Sequence, residues 1–207
     1  AVAILKTAKL PLIIAGGGAI YSEAGDALRA FAETFGIPVG ETMAAKGAIA
    51  GESAMSLGGA GVTGVGSAGK LMSGADVVIC VGTRLTDFTT GSHSAFNNPS
   101  VRFVGINVCG HDTYKLGALP IQADAREALR ALTEAAAAAG VTPNAAYLEE
   151  VAAAKEKWQA HLKEDVFVSH PGEAMNQLHA INVINESVRA GDTIIAAAGG
   201  PPGDLHQ

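Results

Sequence analysis

The sequence predicts an α/β fold in which a parallel sheet is covered by helices on both faces. Two short apolar runs, Pro11–Ala15 and Asp76–Val81, are each followed directly by glycine, which is typical of strands buried on both faces. Helical segments alternate with such runs over about 140 residues, and this alternation requires right-handed crossovers between parallel strands. Hydrophobic residues make up 48% of the chain and charged residues 16%, so a large core can form. The pattern is Rossmann-like.

Caps and breakers place the other elements of this predicted domain. Three further strands are expected at Ile37–Val39, Val101–Asn107 and Leu119–Gln122. Helices are expected at Ala1–Ala8, from a Ser22 cap to Phe35 with Gly36 as the stop, at Gly64–Met72, and from an Asp124 cap to Ala139.

The chain is expected to divide into three parts. Residues 1–140 form the Rossmann-like domain, and 141–172 form a linker whose helix (144–163) packs through Tyr147, Val151 and Trp158. Residues 173–207 open a second α/β domain with a helix over 173–189 and a strand over 193–197. We expect this second domain to be truncated, and the chain to be a fragment of a longer protein.

Charge and cysteine content exclude several classes of function. The net charge of −6 and the absence of a basic cluster argue against nucleic-acid binding. No apolar run reaches the roughly 18–20 residues of a membrane span. Cys80 and Cys109 fit no zinc-ligand spacing, so we expect two buried free thiols in a reducing, cytoplasmic setting and no metal site.

Two loops beyond strand ends are candidates for ligand binding. Gly16–Gly18 could offer backbone amides to a phosphate, but a tight strand-to-helix turn is the favoured interpretation, because Tyr21 stands where a dinucleotide motif needs its third glycine. Arg84 and Asp87 follow a buried strand and should face the crevice beyond the strand ends, either as ligand contacts or as a local ion pair.

The segment Ala196–His206 is rich in glycine and proline and follows a predicted strand. A loop of this composition can present backbone amides to a diphosphate. The pattern alone is unspecific, because every strand is followed by some connection.

Several stretches together resemble the central domain of the acetohydroxyacid synthase-like thiamine-diphosphate enzymes. They are Leu10–Gly18, Gly36–Val39, Asp76–Arg84 and Ala123–Arg126. Three others narrow the resemblance to the trihydroxycyclohexane-1,2-dione hydrolase family of myo-inositol catabolism, namely Leu57–Gly64, Thr83–Thr90 and Ala196–His206. The resemblance covers essentially the whole chain.

The resemblance implies a three-domain, homo-oligomeric enzyme that hydrolyses a carbon–carbon bond and opens the cyclic dione to 5-deoxy-glucuronate. Thiamine diphosphate and Mg²⁺ would be bound mostly by two domains outside this chain, and the cofactor would serve as the electron sink. Carried over by position, Gly203, Asp204, Leu205 and His206 would lie at the diphosphate end. No catalytic residue or metal ligand is expected here, so the chain alone should be inactive.

Two alternatives stay open at this stage. One is a carboligase of the same superfamily that holds FAD in this domain, and the other is a non-catalytic nucleotide-binding or interaction module. FAD-using relatives carry acidic residues at the end of the strand that here ends in Asn107, whereas this chain has no acid until Asp112. We therefore expect no FAD and a crevice that persists as a relic.

Overall fold

The computed structural model describes residues 1–168, 172, 174–196 and 199–206. Its centre is a sheet built from β1 (Pro11–Ala15), β2 (Val39–Glu41), β3 (Ser56–Gly59), β4 (Val77–Val81), β5 (Arg102–Asn107) and β6 (Leu119–Gln122). All neighbouring strands are parallel, in the order β3-β2-β1-β4-β5-β6. The predicted Rossmann-like α/β fold is therefore confirmed.

Helices connect and cover these strands. They are α1 (Val2–Leu5), α2 (Gly17–Tyr21), α3 (Gly25–Phe35), α4 (Gly66–Gly74), α5 (Asp87–Thr90), α6 (Gly110–Thr113), α7 (Ala125–Ala138), α8 (Ala145–His161), α9 (Gln177–Ser187) and α10 (Gly200–Leu205). As predicted, Asp124 caps α7 by accepting the backbone N–H groups of Arg126 and Glu127, and Gly36 ends α3 in the left-handed conformation (φ 63°).

Residues that alternate along the strands contribute to two separate hydrophobic cores, one on each face of the sheet. On one face, Ile13 and Ile79 pack with the apolar sides of α3 and α7. On the other face, Ile14 and Val78 pack with α4 and α8. Both faces of β1 and β4 are thus fully buried, which explains their continuous apolar sequences.

Three local predictions in the first 60 residues were wrong. Ser22 does not cap the helix that ends at Phe35; its hydroxyl donates to the Gly18 carbonyl at 2.7 Å and closes the separate helix α2. The chain then turns at Glu23, which has a positive φ of 51°, so one continuous helix cannot form. The predicted strand at Ile37–Val39 lies two residues later, and β3 was missed altogether.

The cysteine prediction is half correct. Cys80 is buried in β4, and burial raises the pKa of its thiol to about 12. Cys109 is exposed, because it follows β5 at the N-terminus of α6 and lies outside the core. The described residues contain no group of three His, Cys, Asp or Glu side chains that could hold a metal ion.

The linker helix was predicted well, and the segment beyond it less well. Tyr147 and Val151 of α8 are buried against the sheet domain, with Trp158 partly buried beside them. Residues 193–196 form no strand, since no neighbouring strand pairs with them in the described structure. The remainder of that prediction (197) and residue 173, where the next helix was predicted to begin, lie outside the described residues.

Within the described ranges, the structure contains no helix with the length and hydropathy needed to cross a membrane.

Candidate functional site

A crevice of about 450 Å³ lies beyond the carboxyl ends of five strands. Residues that line it follow β1, β2, β3 and β4 or end β5, namely Gly16, Thr42, Ala60, Gly82 and Asn107. Its centre lies between the ends of β1 and β4. From this point β2 and β3 follow on one side of the sheet, and β5 and β6 follow on the other. Ligands of open α/β sheets bind at this point, so the fold itself marks the crevice as the candidate site.

Glycines allow the loop after β1 and the loop after β4, which both line the crevice, to pack closely against each other. Gly16 N–H donates to the Val81 carbonyl at 2.8 Å, and Gly18 N–H donates to the Gly82 carbonyl at 2.9 Å. A Cβ on Gly16 or Gly18 would lie within 2.7 Å of the β4 loop, and Gly82 itself has a φ of 61°. The amides of Gly16 and Gly18 are therefore engaged by backbone carbonyls, which favours the packing interpretation of this triplet over the phosphate one.

The loop after β4 places one of its two predicted candidates in the crevice. Arg84 is exposed and lines the crevice, as predicted. Asp87 instead starts α5 and faces a separate depression next to His93 and Lys115. Arg84 and Asp87 are both described, and no ion pair joins them. Leu85 between them is buried with a φ of 46°, so its packing holds this loop in a strained conformation.

The end of β5 carries the amide of Asn107, and an acid of the following helix also lines the crevice. Asn107 donates through Nδ2 to the Thr83 carbonyl at 3.3 Å and accepts the Cys109 N–H at 3.0 Å, so its amide joins the β4 and β5 loops. Asp112 of α6 does line the crevice, because the short helix turns back over the end of β5. Its carboxylate is only 13% exposed and lies 3.7 Å from Lys115 Nζ.

Hydroxyl groups dominate the remaining polar lining. The threonines that contribute are Thr42, Thr63, Thr83, Thr86 and Thr89. Sequence reasoning missed this set because its members follow three different strands. Three apolar side chains that also line the crevice, Tyr21, Met43 and Phe88, are 92%, 47% and 68% exposed, so apolar surface stands beside these hydroxyl groups.

The predicted cofactor residues Gly203, Asp204, Leu205 and His206 lie in or directly after α10. The Gly/Pro segment was predicted to be a loop, and this was wrong for residues 200–205. Pro201 and Pro202 lie in the first turn of the helix, where their missing N–H groups leave no hydrogen bond unmade. Of these four residues, only His206 is fully buried, and it lines the crevice at the end of β2.

The central-domain family model of thiamine pyrophosphate enzymes matches residues 1–132, which contain the whole sheet. The chain belongs to this family. The motifs around β1 and β4 had predicted this assignment, and the strand order agrees with it.

The chain is also similar to proteins named 3D-(3,5/4)-trihydroxycyclohexane-1,2-dione hydrolase. Hydrolase 2 of Bacillus cereus is 40% identical over 230 aligned positions, and the hydrolases of Bacillus anthracis and Bacillus thuringiensis are 38% identical. The alignments cover 100% of this chain and 35% of each relative. The chain thus spans about a third of the length of these relatives. The motifs in Leu57–Gly64, Thr83–Thr90 and Ala196–His206 had predicted the similarity to this family.

Proposed function

We propose that this chain is the central part of a thiamine-diphosphate-dependent hydrolase that opens the ring of trihydroxycyclohexane-1,2-dione to 5-deoxy-glucuronate in inositol catabolism. One observation carries the proposal: similarity to proteins of that name extends over the full 207 residues, including the segment beyond the family model. The names of these relatives do not favour a carboligase or a non-catalytic module.

The organisation proposed for the enzyme follows from the same comparison. Residues 1–140 act as its structural centre, 141–172 as the linker, and 173–207 as the start of the diphosphate-binding domain. The pyrimidine-binding domain and the rest of the diphosphate-binding domain are its partners, in a cytoplasmic homo-oligomer. The side chains of Ile184, Ile194 and Ile195 are apolar and exposed. They support this division, because exposed apolar side chains can mark a surface on which another part of the protein packs.

The residues of this chain fit only part of a thiamine diphosphate and Mg²⁺ site. Asp204 supplies a half-buried carboxylate, the ligand type that Mg²⁺ prefers, but the described residues contain no group of three His, Cys, Asp or Glu side chains that could hold the ion. Residues 200–206 carry no Lys or Arg to neutralise a diphosphate. We propose that Gly203–His206 lie at the diphosphate end and that the remaining ligands come from outside this chain.

The test is a comparison of two proteins. The full-length enzyme, supplied with thiamine diphosphate and Mg²⁺, should convert the dione to the open-chain acid, measured by the loss of the dione and by mass spectrometry of the product. The 207-residue chain under the same conditions should show no turnover above the no-enzyme rate. Turnover by the short chain, or none by the full-length enzyme with this substrate, would refute the proposal.

We also propose that the crevice holds no FAD in this enzyme. Asn107 supports this, because its amide is already committed to Thr83 and Cys109. Asp112 is the one observation that points the other way, since it places an acid in the crevice. An absorption spectrum of the purified full-length enzyme decides the matter: a flavin band near stoichiometric amounts would favour the carboligase.

A further inference from the structure

His206 connects two parts of the chain that are far apart in sequence. Its ring is 2% exposed and lies between the end of β2 and the loop that follows β3. Nε2 is 2.8 Å from the carbonyl oxygen of Glu41, and Nδ1 is 2.9 Å from the hydroxyl of Thr63. Both ring nitrogens are thus satisfied by the sheet domain.

The hydrogen-bond partners of His206 determine which of its two ring nitrogens carries the hydrogen. A carbonyl oxygen can only accept, so Nε2 of His206 must donate to Glu41. In the neutral ring Nδ1 is then an acceptor, and the Thr63 hydroxyl donates to it. Burial lowers the pKa of His206 below its usual 6.5, which keeps the ring neutral near pH 7. Thr63 is therefore the donor in this pair.

The backbone around the ring is shaped to admit it. A Cβ built on Gly59 would lie 2.3 Å from the His206 carbonyl oxygen and 3.0 Å from two ring carbons. Glycine at the end of β3 is therefore required for α10 to approach the sheet this closely. A Cβ built on Gly203 would lie 3.4 Å from the Thr63 methyl carbon, so Thr63 lies close to this glycine as well as to the His206 ring.

We propose that Thr63 is a positioning residue: it holds His206 and thereby fixes the segment Gly203–His206 against the sheet domain. Thr63 acts through His206 and need not touch the cofactor. The consequence for cofactor binding rests on the proposed function, in which this segment lies at the diphosphate end. Thr63, Gly59 and the Glu41 carbonyl are together named the His206 latch.

The test uses the full-length enzyme and removes only the hydroxyl. Thr63→Val keeps the shape of the side chain but leaves Nδ1 of His206 buried without a donor. In the cofactor-free protein, we expect amide hydrogen exchange in the peptide covering 199–206 to become roughly tenfold faster. We expect the thiamine diphosphate Kd, titrated at saturating Mg²⁺, to rise roughly three- to tenfold. Thr63→Ser retains the donor and should stay within about twofold of wild type for both.

A second variant keeps the test decisive if Thr63→Val does not fold. Gly59→Ala should loosen the same peptide, because its Cβ collides with His206. The matched controls are Thr133→Val, whose hydroxyl donates within α7 to the Leu129 carbonyl, and Gly69→Ala, whose Cβ meets nothing within 4 Å. Neither control should change the exchange of residues 199–206.

The outcomes separate this proposal from the proposed function. Unchanged exchange in both Thr63→Val and Gly59→Ala overturns the latch. Faster exchange with an unchanged Kd overturns the positioning role of Thr63 toward the cofactor. If wild-type enzyme binds no thiamine diphosphate, the proposed function fails, whereas the exchange measurements still decide whether Thr63 holds the segment.

Discussion

The sheet domain with α8 and the segment 174–206 differ in how much apolar surface they bury. In the described structure every buried hydrophobic residue lies between Leu5 and Ala154. The later segment exposes Met175, Val183, Ile184, Ile194 and Ile195, and of its described residues only His206 is fully buried. The first region therefore has a hydrophobic core of its own, while the described residues of the second region bury no hydrophobic side chain. The stability of the sheet domain and the attachment of the later segment to it are thus determined by different residues.

The largest test of this difference compares one substitution in the two regions. Ile79→Ala empties a site that is 0% exposed in β4 and should lower the free energy of unfolding by about 2–5 kcal/mol. Ile184→Ala removes the same atoms from a side chain that is 56% exposed and should change it by less than about 0.5 kcal/mol. Urea unfolding followed by circular dichroism measures both. Equal losses would show that the second region has a core as well.

A smaller contrast concerns glycines that have a positive φ. Gly82→Ala adds a Cβ 2.6 Å from the backbone of Gly18 and Ala19, so strain and a collision combine, and we expect a loss above about 2 kcal/mol. Gly191→Ala, at φ 95°, meets nothing within 4 Å and should cost only the backbone strain of about 1–2 kcal/mol. Thermal or urea denaturation of the two variants gives the comparison, which breaks down if Gly191→Ala is the more damaging.

The smallest expected effects are pH dependences of opposite sign. Burial raises the pKa of the Glu41 carboxyl above 4.5, partly offset by backbone N–H groups such as that of Ile49. Its stabilising contribution is therefore complete below pH 4.5 and is lost as the pH rises through the folded-state pKa. Wild type should lose stability relative to Glu41→Gln over that rise. A constant difference between the two unfolding free energies would contradict this assignment.

His206 should behave in the opposite way. Its pKa is lowered, so the contribution of the neutral ring is present above pH 6.5 and is lost as the pH falls through the folded-state value. Lys46, whose own pKa is lowered by burial, opposes the charged ring further. Hydrogen exchange of residues 199–206, corrected for the intrinsic pH dependence, should therefore accelerate on acidification while the sheet stays protected. Equal protection at pH 5 and 7.5 would be the contrary result.

The parts of the fold that the sequence predicted are those whose signal is local. Strands β1 and β4 are buried on both faces, so their residues are apolar without interruption. Strand β3 escaped prediction because Ser56–Gly59 contains one large apolar residue and two glycines, one of which makes room for His206. The opposite error occurred at residues 193–196, the described part of a predicted strand, which have no partner strand in the described structure.

The residues of the candidate site likewise divide into those that the sequence predicted and those that it did not. Arg84 was predicted to face the crevice because it follows a strong strand, and the rule for strand ends is general. The five lining threonines and Asp112 were not predicted, because the distance between strand ends depends on strand order. The contact of His206 with Glu41 is the extreme case, since 165 positions separate the two residues.

That separation has a consequence for how the molecule is assembled. The His206 latch joins two residues that are 165 positions apart, and it cannot form before both have been synthesised. During synthesis, which proceeds from the N-terminus, Glu41 and Thr63 are made long before their partner. Among the contacts of the described residues, the latch is therefore a late one, because it needs strands β3 to β6 to have been synthesised first.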